Sequence, residues 1–263
     1  MSESRGHKHS VAAHVVRAIA CMALAAGVGI IGFLGFTEAK ADSVAAAPNG
    51  SESEPEGVTD PWGFKDVDWN WWESENPDMV GWLQVPGTDI SQPVMAAAED
   101  APTYYLNHGY DGERTYVGAP FLDAACEGDF DSGCAPIYGH HLTSGRMFSP
   151  LENMTDEDWA KEHATVLLQT RDWKRVYSVS MARIVNAAKA DVVCRYENKQ
   201  QLASWLQDEA GRADVVFEEP AGTPVIQLVT CSYSTYRNER TVVTCQVAHE
   251  FPPDWQGYAE DQR

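Results

Sequence analysis

Residues 227–246 read QLVTCSYSTYRNERTVVTCQ, so that one β-branched run ends on Cys231 and the next begins on Arg240. The apolar alternation of 225–229 and of 241–247 is that of buried strands, which predicts that Cys231 and Arg240 face one another across a hairpin-like connection. A thiol is a nucleophile only as its thiolate. A permanently charged guanidinium beside it favours that form and can donate hydrogen bonds to a developing oxyanion. Attack on a carbonyl also needs an acid/base group, and the segment IYGHHLTSGRMF (137–148) delivers His140 at the edge of a loop, where an imidazole can exchange a proton near neutral pH. His141 points elsewhere by its position. Arg237 is the rival cation, but it falls in the turn, whereas Arg240 is oriented by the strand that begins immediately after it. An ordinary surface ion pair with Glu239 is the competing fate for Arg240. Thr230 and Ser232 flank the thiol, and the backbone N–H of one of them is available to an oxyanion.

The elements that must position these groups are mostly strands. Short β-type runs occur at 80–85, 90–95, 117–122, 135–138, 165–169, 176–185, 224–230 and 241–248, with Pro86-Gly87 as a turn after the first. A short helix at 66–76 presents Trp69 and Trp72 on one face. A longer amphipathic helix at 198–210 carries Leu202, Trp205, Leu206 and Ala210 at helical spacing just before the thiol's strand. Many strands with few helices predict a closed barrel or a sandwich.

The chain of 263 residues is organised around that one core. Residues 18–36, AIACMALAAGVGIIGFLGF, carry no charge and follow Arg5, Lys8 and Arg17. This predicts a membrane-spanning anchor over 1–36 with its N-terminus inside, a cleaved signal ending near Ala39-Lys40-Ala41 being the alternative. Residues 37–60, rich in Ala, Ser, Glu, Pro and Gly, read as a solvated linker to an exported domain at 61–263. The first 36 residues hold three basic side chains and one acidic, so of the net charge of −20 the remainder carries −22. Such acidity excludes nucleic acid and anionic surfaces as partners of the exported part. In an exported chain, Cys126 and Cys134, flanking the turn EGDFDSG, are expected to form a disulfide. A zinc site with the nearby histidines is the rival, although the spacing is not that of a structural zinc module. Cys245 falls on the opposite strand face from Arg240 and is either buried or paired with Cys194.

Taken together, these segments resemble the sortases, cysteine transpeptidases of Gram-positive bacteria, and within them class B. The pattern T-L-x-T-C with an arginine on the next strand is matched by Leu228, Thr230, Cys231 and Arg240, with Gln227 in place of the first Thr. Tyr138, Gly139, His140, Met147 and Phe148 match the class B histidine segment Y-G-H-x6-M-F. NPDMVGWLQVPGTDISQPVM (76–95), YYLNHGYDG (104–112) and VGAPFLD (117–123) are similar to class B sortases in order and spacing. The resemblance implies an eight-stranded β-barrel with an N-terminal helix and a late helix before the nucleophile strand. It also implies catalytic roles for His140, Cys231 and Arg240, with Thr230 and Ser232 against the substrate. Class B relatives often carry an acidic residue soon after the cysteine, where Ser232 and Tyr233 stand here, so no third carboxylate partner is assumed. The implied activity is cleavage of an LPXTG-like or NPXTN-like sorting signal through a thioester and transfer to a cell-wall precursor or pilin amine, at the outer face of the membrane, with no cofactor and no metal. A secreted cysteine hydrolase is the alternative, and a catalytically silent adhesion module ranks last.

Overall fold

The computed structural model describes residues 58–131, 133–186, 196, 198–219, 221, 224–232 and 239–259. The expected anchor at 18–36, nearly all of the linker, Cys194 and Arg237 lie outside the described residues. No helix among the described residues is long and apolar enough to cross a membrane.

Eleven strands are described: β1 (Val58–Thr59), β2 (Met79–Gln84), β3 (Ser91–Ala96), β4 (Phe121–Leu122), β5 (Cys134–Gly139), β6 (Thr165–Gln169), β7 (Lys174–Asn186), β8 (Val215–Val216), β9 (Val225–Ser232), β10 (Glu239–Phe251) and β11 (Tyr258–Ala259). Eight of them form a closed barrel in the order β10-β9-β5-β4-β3-β2-β6-β7, because β7 pairs back onto β10 from Glu239↔Asn186 to Phe251↔Lys174; β8 extends the β7 edge. Closure leaves the barrel strands without a free edge. The β3–β4 and β5–β9 pairs are parallel, and the latter becomes decisive below.

Alternation within each strand divides its residues between two apolar regions. Ala135 and Ile137 of β5, Ile226 and Leu228 of β9, and Val243 and Cys245 of β10 fill the barrel interior. Tyr138, Val229 and Val242 emerge on the outer face, where Tyr105, Leu106 and Ala119 cover them. The catalytic-type segments are therefore covered on both faces, which is why their sequences run apolar almost continuously instead of alternating with polar residues.

Among the described residues, three α-helices decorate the barrel. Helix α1 (Trp69–Glu75) is capped by Asp68, whose carboxylate accepts from the Trp71 N–H at 2.9 Å, and it buries Trp72 against Trp82. Full burial of a side chain of that size contributes about 1.5–3 kcal/mol. Helix α3 (Lys199–Ala210), capped by Asn198, packs Leu202 and Leu206 over Cys134, Met181 and Val225. Helix α2 (Glu157–Glu162), capped by Asp156 and preceded by a 3-10 segment at Ser149–Thr155, was not foreseen from the sequence, since only six residues are involved and no long apolar stripe marks them.

Several boundaries shift by one to three residues, and two differences have a clear local cause. The run at 117–122 is a strand only at Phe121–Leu122, because Gly118 takes a left-handed backbone (φ +64°) and Pro120 has no N–H to give a ladder. The linker expected up to residue 60 ends earlier, since Val58 and Thr59 pair with Ala259 and Tyr258, and the Asp60 carboxylate accepts from the Trp62 and Phe64 N–H groups.

Candidate active site

The site is built by the register of three adjacent strands. In the antiparallel β9–β10 ladder Arg240 is the direct partner of Cys231. In the parallel β5–β9 ladder the last pair is Gly139↔Thr230, so His140 and Cys231 are each the next residue of adjacent strands running the same way. The structure thus brings His140, Cys231 and Arg240 into one row across β5, β9 and β10. Among described residues, Tyr138 and Val242 lie beside that row on the outer face.

Local sequence explains why His140 can stand there. A Cβ on Gly139 would lie 2.5 Å from Phe148 Cγ, so only glycine lets the aromatic ring close under the strand end. The chain returns at once, with the Phe148 N–H donating to the His140 carbonyl at 3.0 Å and Met147 bridging His141. To make that return Met147 adopts φ +58°, an uncommon left-handed conformation for a bulky residue, next to the site. Tyr138 is tied down by its hydroxyl, which donates to Asp123 Oδ2 at 2.9 Å.

His140 is partly buried, and its Nε2 lies 2.6 Å from the Leu106 carbonyl oxygen. Burial holds its pKa below the ordinary histidine value; the Leu106 hydrogen bond opposes this, and the positive charge of Arg240 adds to the lowering. That last influence places the guanidinium within electrostatic reach of the imidazole.

Arg240 is not the surface residue of the competing reading. It is only 3% exposed, and its Nη1 donates to the Glu239 carbonyl at 2.9 Å. Among the described residues its Nε and Nη2 have no hydrogen-bond partner. Buried guanidinium donors without acceptors are costly, and each such group in a native fold requires an explanation. Among the described residues, those two donors are thus open to an acceptor brought to the site from outside.

Thr230 and Ser232 stay beside the thiol's position, while other described histidines are engaged elsewhere. Thr230 is buried, paired between Gly139 and Thr241, and Ser232 pairs with Glu239; both flank Cys231 along β9. His141 is engaged with Glu152 at 2.9 Å, His108 stacks on Tyr104 at 3.9 Å, and His163 stacks on Trp159 at 3.9 Å. Cys245 is buried in the barrel interior, where burial pushes its thiol pKa up.

The expected disulfide is not formed: Cys126 and Cys134 are both free and fully buried. Cys126 joins the interior cluster, while Cys134, preceding the inward Ala135, belongs to the cluster under helix α3. The two thiols thus face different apolar regions, and Cys126 Sγ contacts the Cys134 carbonyl at 3.8 Å instead of its sulfur. Among the described residues no group of three or more His, Cys, Asp or Glu could hold a metal ion, so the zinc rival has no ligand set there.

Sequence reasoning missed two features beside His140, the Leu106 carbonyl and Gly118 behind it. A main-chain acceptor leaves no side-chain signature. The only available signal was the position of YYLNHGYDG and VGAPFLD upstream of the histidine segment.

Comparison with known proteins agrees with this architecture. A family model described as the sortase domain matches residues 83–248. Sortase B of Listeria monocytogenes is 36% identical over 90 residues, which cover 34% of this chain and 36% of that protein. Sortase B of Staphylococcus aureus is 26% identical over 160 residues, covering 61% of this chain and 64% of that protein. The chain therefore aligns with about one third and just under two thirds of the lengths of these two relatives. Among solved structures, a Bacillus anthracis protein similar to sortase B superposes with a TM-score of 0.65 at 20% identity, over 82% of this chain and 98% of that one. Clostridium perfringens sortase B gives 0.61 at 22% identity, over 68% and 99%. At such identities the structural likeness speaks for the fold alone.

Proposed function

The chain belongs to the sortase family, and from that premise we propose that it is a class B cysteine transpeptidase acting on a protein sorting signal of the LPXTG-like or NPXTN-like kind. The observation that supports this reading most is the row His140–Cys231–Arg240, closed by a buried guanidinium with two donors unused by the described residues. In this reading Cys231 sulfur attacks the backbone carbonyl carbon of the signal's threonine, at its bond to the next residue. A C–S bond forms, the C–N bond breaks, and His140 gives a proton to the departing amine. A second amine then attacks the thioester, loses its proton to His140, and the thiolate leaves. Arg240 stabilises the tetrahedral oxyanion at each stage, with the backbone N–H of Thr230 or Ser232 beside it.

The substrate class also rests on the relatives: one similar solved structure is a Staphylococcus aureus sortase B–substrate complex, and another is a sortase B complexed with triglycine. The acceptor for this chain is accordingly a primary amine of a cell-wall precursor or a pilin. Acting on surface proteins also requires an exported enzyme, and the apolar stretch at 18–36 with its preceding basic residues is suited to hold the domain at the outer face of the membrane of a Gram-positive cell.

The test is product analysis by mass spectrometry after incubating the full chain with LPXTG and NPXTN peptides, with and without excess triglycine. A peptide–triglycine adduct that disappears in Cys231→Ala is expected. Hydrolysis alone at saturating amine, or an adduct from the Cys231→Ala protein, would overturn the assignment.

A further inference from the structure

The ring of His140 is held at one nitrogen by main chain. A carbonyl oxygen can only accept, so the 2.6 Å contact from Nε2 to the Leu106 oxygen requires the hydrogen on Nε2. The neutral ring then keeps its lone pair on Nδ1.

The turn that presents this carbonyl, a 3-10 segment at Tyr104–Leu106, is fixed from several sides. The Leu106 N–H donates to the Thr103 carbonyl at 3.0 Å. The Tyr105 hydroxyl donates to Asp78 Oδ2 at 2.7 Å and accepts from Asn76 Nδ2 at 3.1 Å. The Ala119 N–H donates to the Tyr105 carbonyl at 2.9 Å, and this contact draws Gly118 against the turn. A Cβ on Gly118 would stand 2.5 Å from the Tyr105 oxygen and 2.8 Å from the Leu106 oxygen, the atom that holds the imidazole. Gly118 also has φ +64°, where an L side chain is strained. Both conformation and space therefore demand glycine directly behind the Leu106 carbonyl.

We propose that the Leu106 carbonyl, kept in place by the close approach of Gly118, fixes His140 as the Nε2–H tautomer and makes Nδ1 the atom that exchanges the catalytic proton. Gly118 is thereby a positioning residue. This inference rests on the reading of His140 as the acid/base of the transfer. When the signal's C–N bond breaks, the proton passes from Nδ1 to the departing amine; when the acceptor amine attacks the thioester, its proton passes to Nδ1 as the thiolate leaves. Nε2–H stays on the Leu106 oxygen throughout, and the bond strengthens whenever the ring is cationic.

The deciding measurement is long-range 1H–15N correlation on the full chain labelled with 15N-histidine, at a pH where the ring is neutral, with the His140 signals assigned by their loss in His140→Gln. Nε2–H is expected; an Nδ1–H ring or an averaged mixture overturns the proposal. Gly118→Ala should then lower kcat about tenfold or more with KM changed less than about twofold, as loss of an oriented acid/base group requires. It should also shift the His140 nitrogens toward a tautomer mixture. Wild-type kcat or an unchanged tautomer in Gly118→Ala overturns the role of Gly118, and should that variant fail to fold, the wild-type spectrum still decides the tautomer. A fully active His140→Gln would instead overturn the proposed function, whereas an inactive His140→Gln together with an Nδ1–H wild-type ring overturns only the present inference.

Discussion

Replacing Gly139 by alanine tests whether the strand register aligns the site. The new Cβ would lie 2.5, 2.6 and 2.8 Å from Phe148 Cγ, Cδ2 and Cδ1, distances that atoms in contact do not occupy, so either the ring or the strand must move. The ring is fully buried in the interior cluster, and its own backbone is bonded to His140, which leaves little room to yield. Overpacking of this kind costs about 1–3 kcal/mol. At about 2–4 °C per kcal/mol for a domain of this size, Tm should fall by roughly 2–12 °C. The chemical effect is larger than the stability effect: Gly139 is the residue before His140, and displacement of a catalytic group by about 1 Å costs on the order of a hundredfold in rate. Thermal melts and steady-state transfer of a sorting-signal peptide to triglycine should be measured for Gly139→Ala, Phe148→Leu and the double variant. If the clash is the cause, removing the ring relieves it, and the double variant should be more stable than the sum of the single effects by about 0.5–3 kcal/mol. A Gly139→Ala protein with wild-type Tm and rate, or strictly additive losses, would refute the argument.

Arg240→Lys should lose about a hundredfold or more in turnover although the charge is kept, because a single ammonium cannot supply the two donors that the guanidinium holds in fixed geometry; activity within a few-fold of wild type would remove Arg240 from the oxyanion site. Non-reducing peptide mapping should find Cys126 and Cys134 as separate free thiols, and a peptide linked through both would contradict their assignment to different clusters. Glu209 is 1% exposed and pairs with the buried Arg183 at 2.9 Å, so Glu209→Ala should cost about 3–5 kcal/mol in urea unfolding, and a loss below about 1 kcal/mol would count against that pair as the clamp between helix α3 and β7. Because burial holds the His140 pKa below its unfolded value near 6.5, the unfolded chain binds this proton first as pH falls. The stability His140 contributes is present above about pH 6.5 and is lost below it, so His140→Gln should show a shallower acid decline of stability than wild type.

What the sequence disclosed is what strand alternation and side-chain chemistry encode. The 165–169 strand, the Asn198-capped helix and the opposition of Cys231 to Arg240 follow from apolar period and from the residue at which each run starts or stops, and these were legible. The 117–122 segment misled because its apolar content reports burial, and burial is satisfied there without a ladder: Val117 and Ala119 are covered in an irregular stretch bent by Gly118. The disulfide failed for a related reason. Spacing in sequence gives loop length, but whether two thiols meet depends on where each side chain points: Cys126, at the end of the 3-10 segment Ala124–Cys126, joins the interior cluster, whereas Cys134 lies on the face of β5 opposite Ala135.

The elements that position His140 explain why the N-terminal helix matters to a site far from it in sequence. The side chain of Asn76, which ends helix α1, donates to the Tyr105 hydroxyl and to the Tyr110 carbonyl at 2.6 Å. Tyr105 belongs to the turn whose next carbonyl, that of Leu106, holds the imidazole. The helix itself is pinned by Trp72 against Trp82, with Tyr110 packed at 5.1 Å from the Trp72 ring. A tryptophan anchor, an asparagine cap, a buried tyrosine and one backbone oxygen therefore form a continuous chain of contacts from helix α1 to the imidazole. Only the last link touches His140, and it is a main-chain atom common to every residue type, so the contact itself is not written in the identity of residue 106, whereas a single methyl group at Gly118 would reach it.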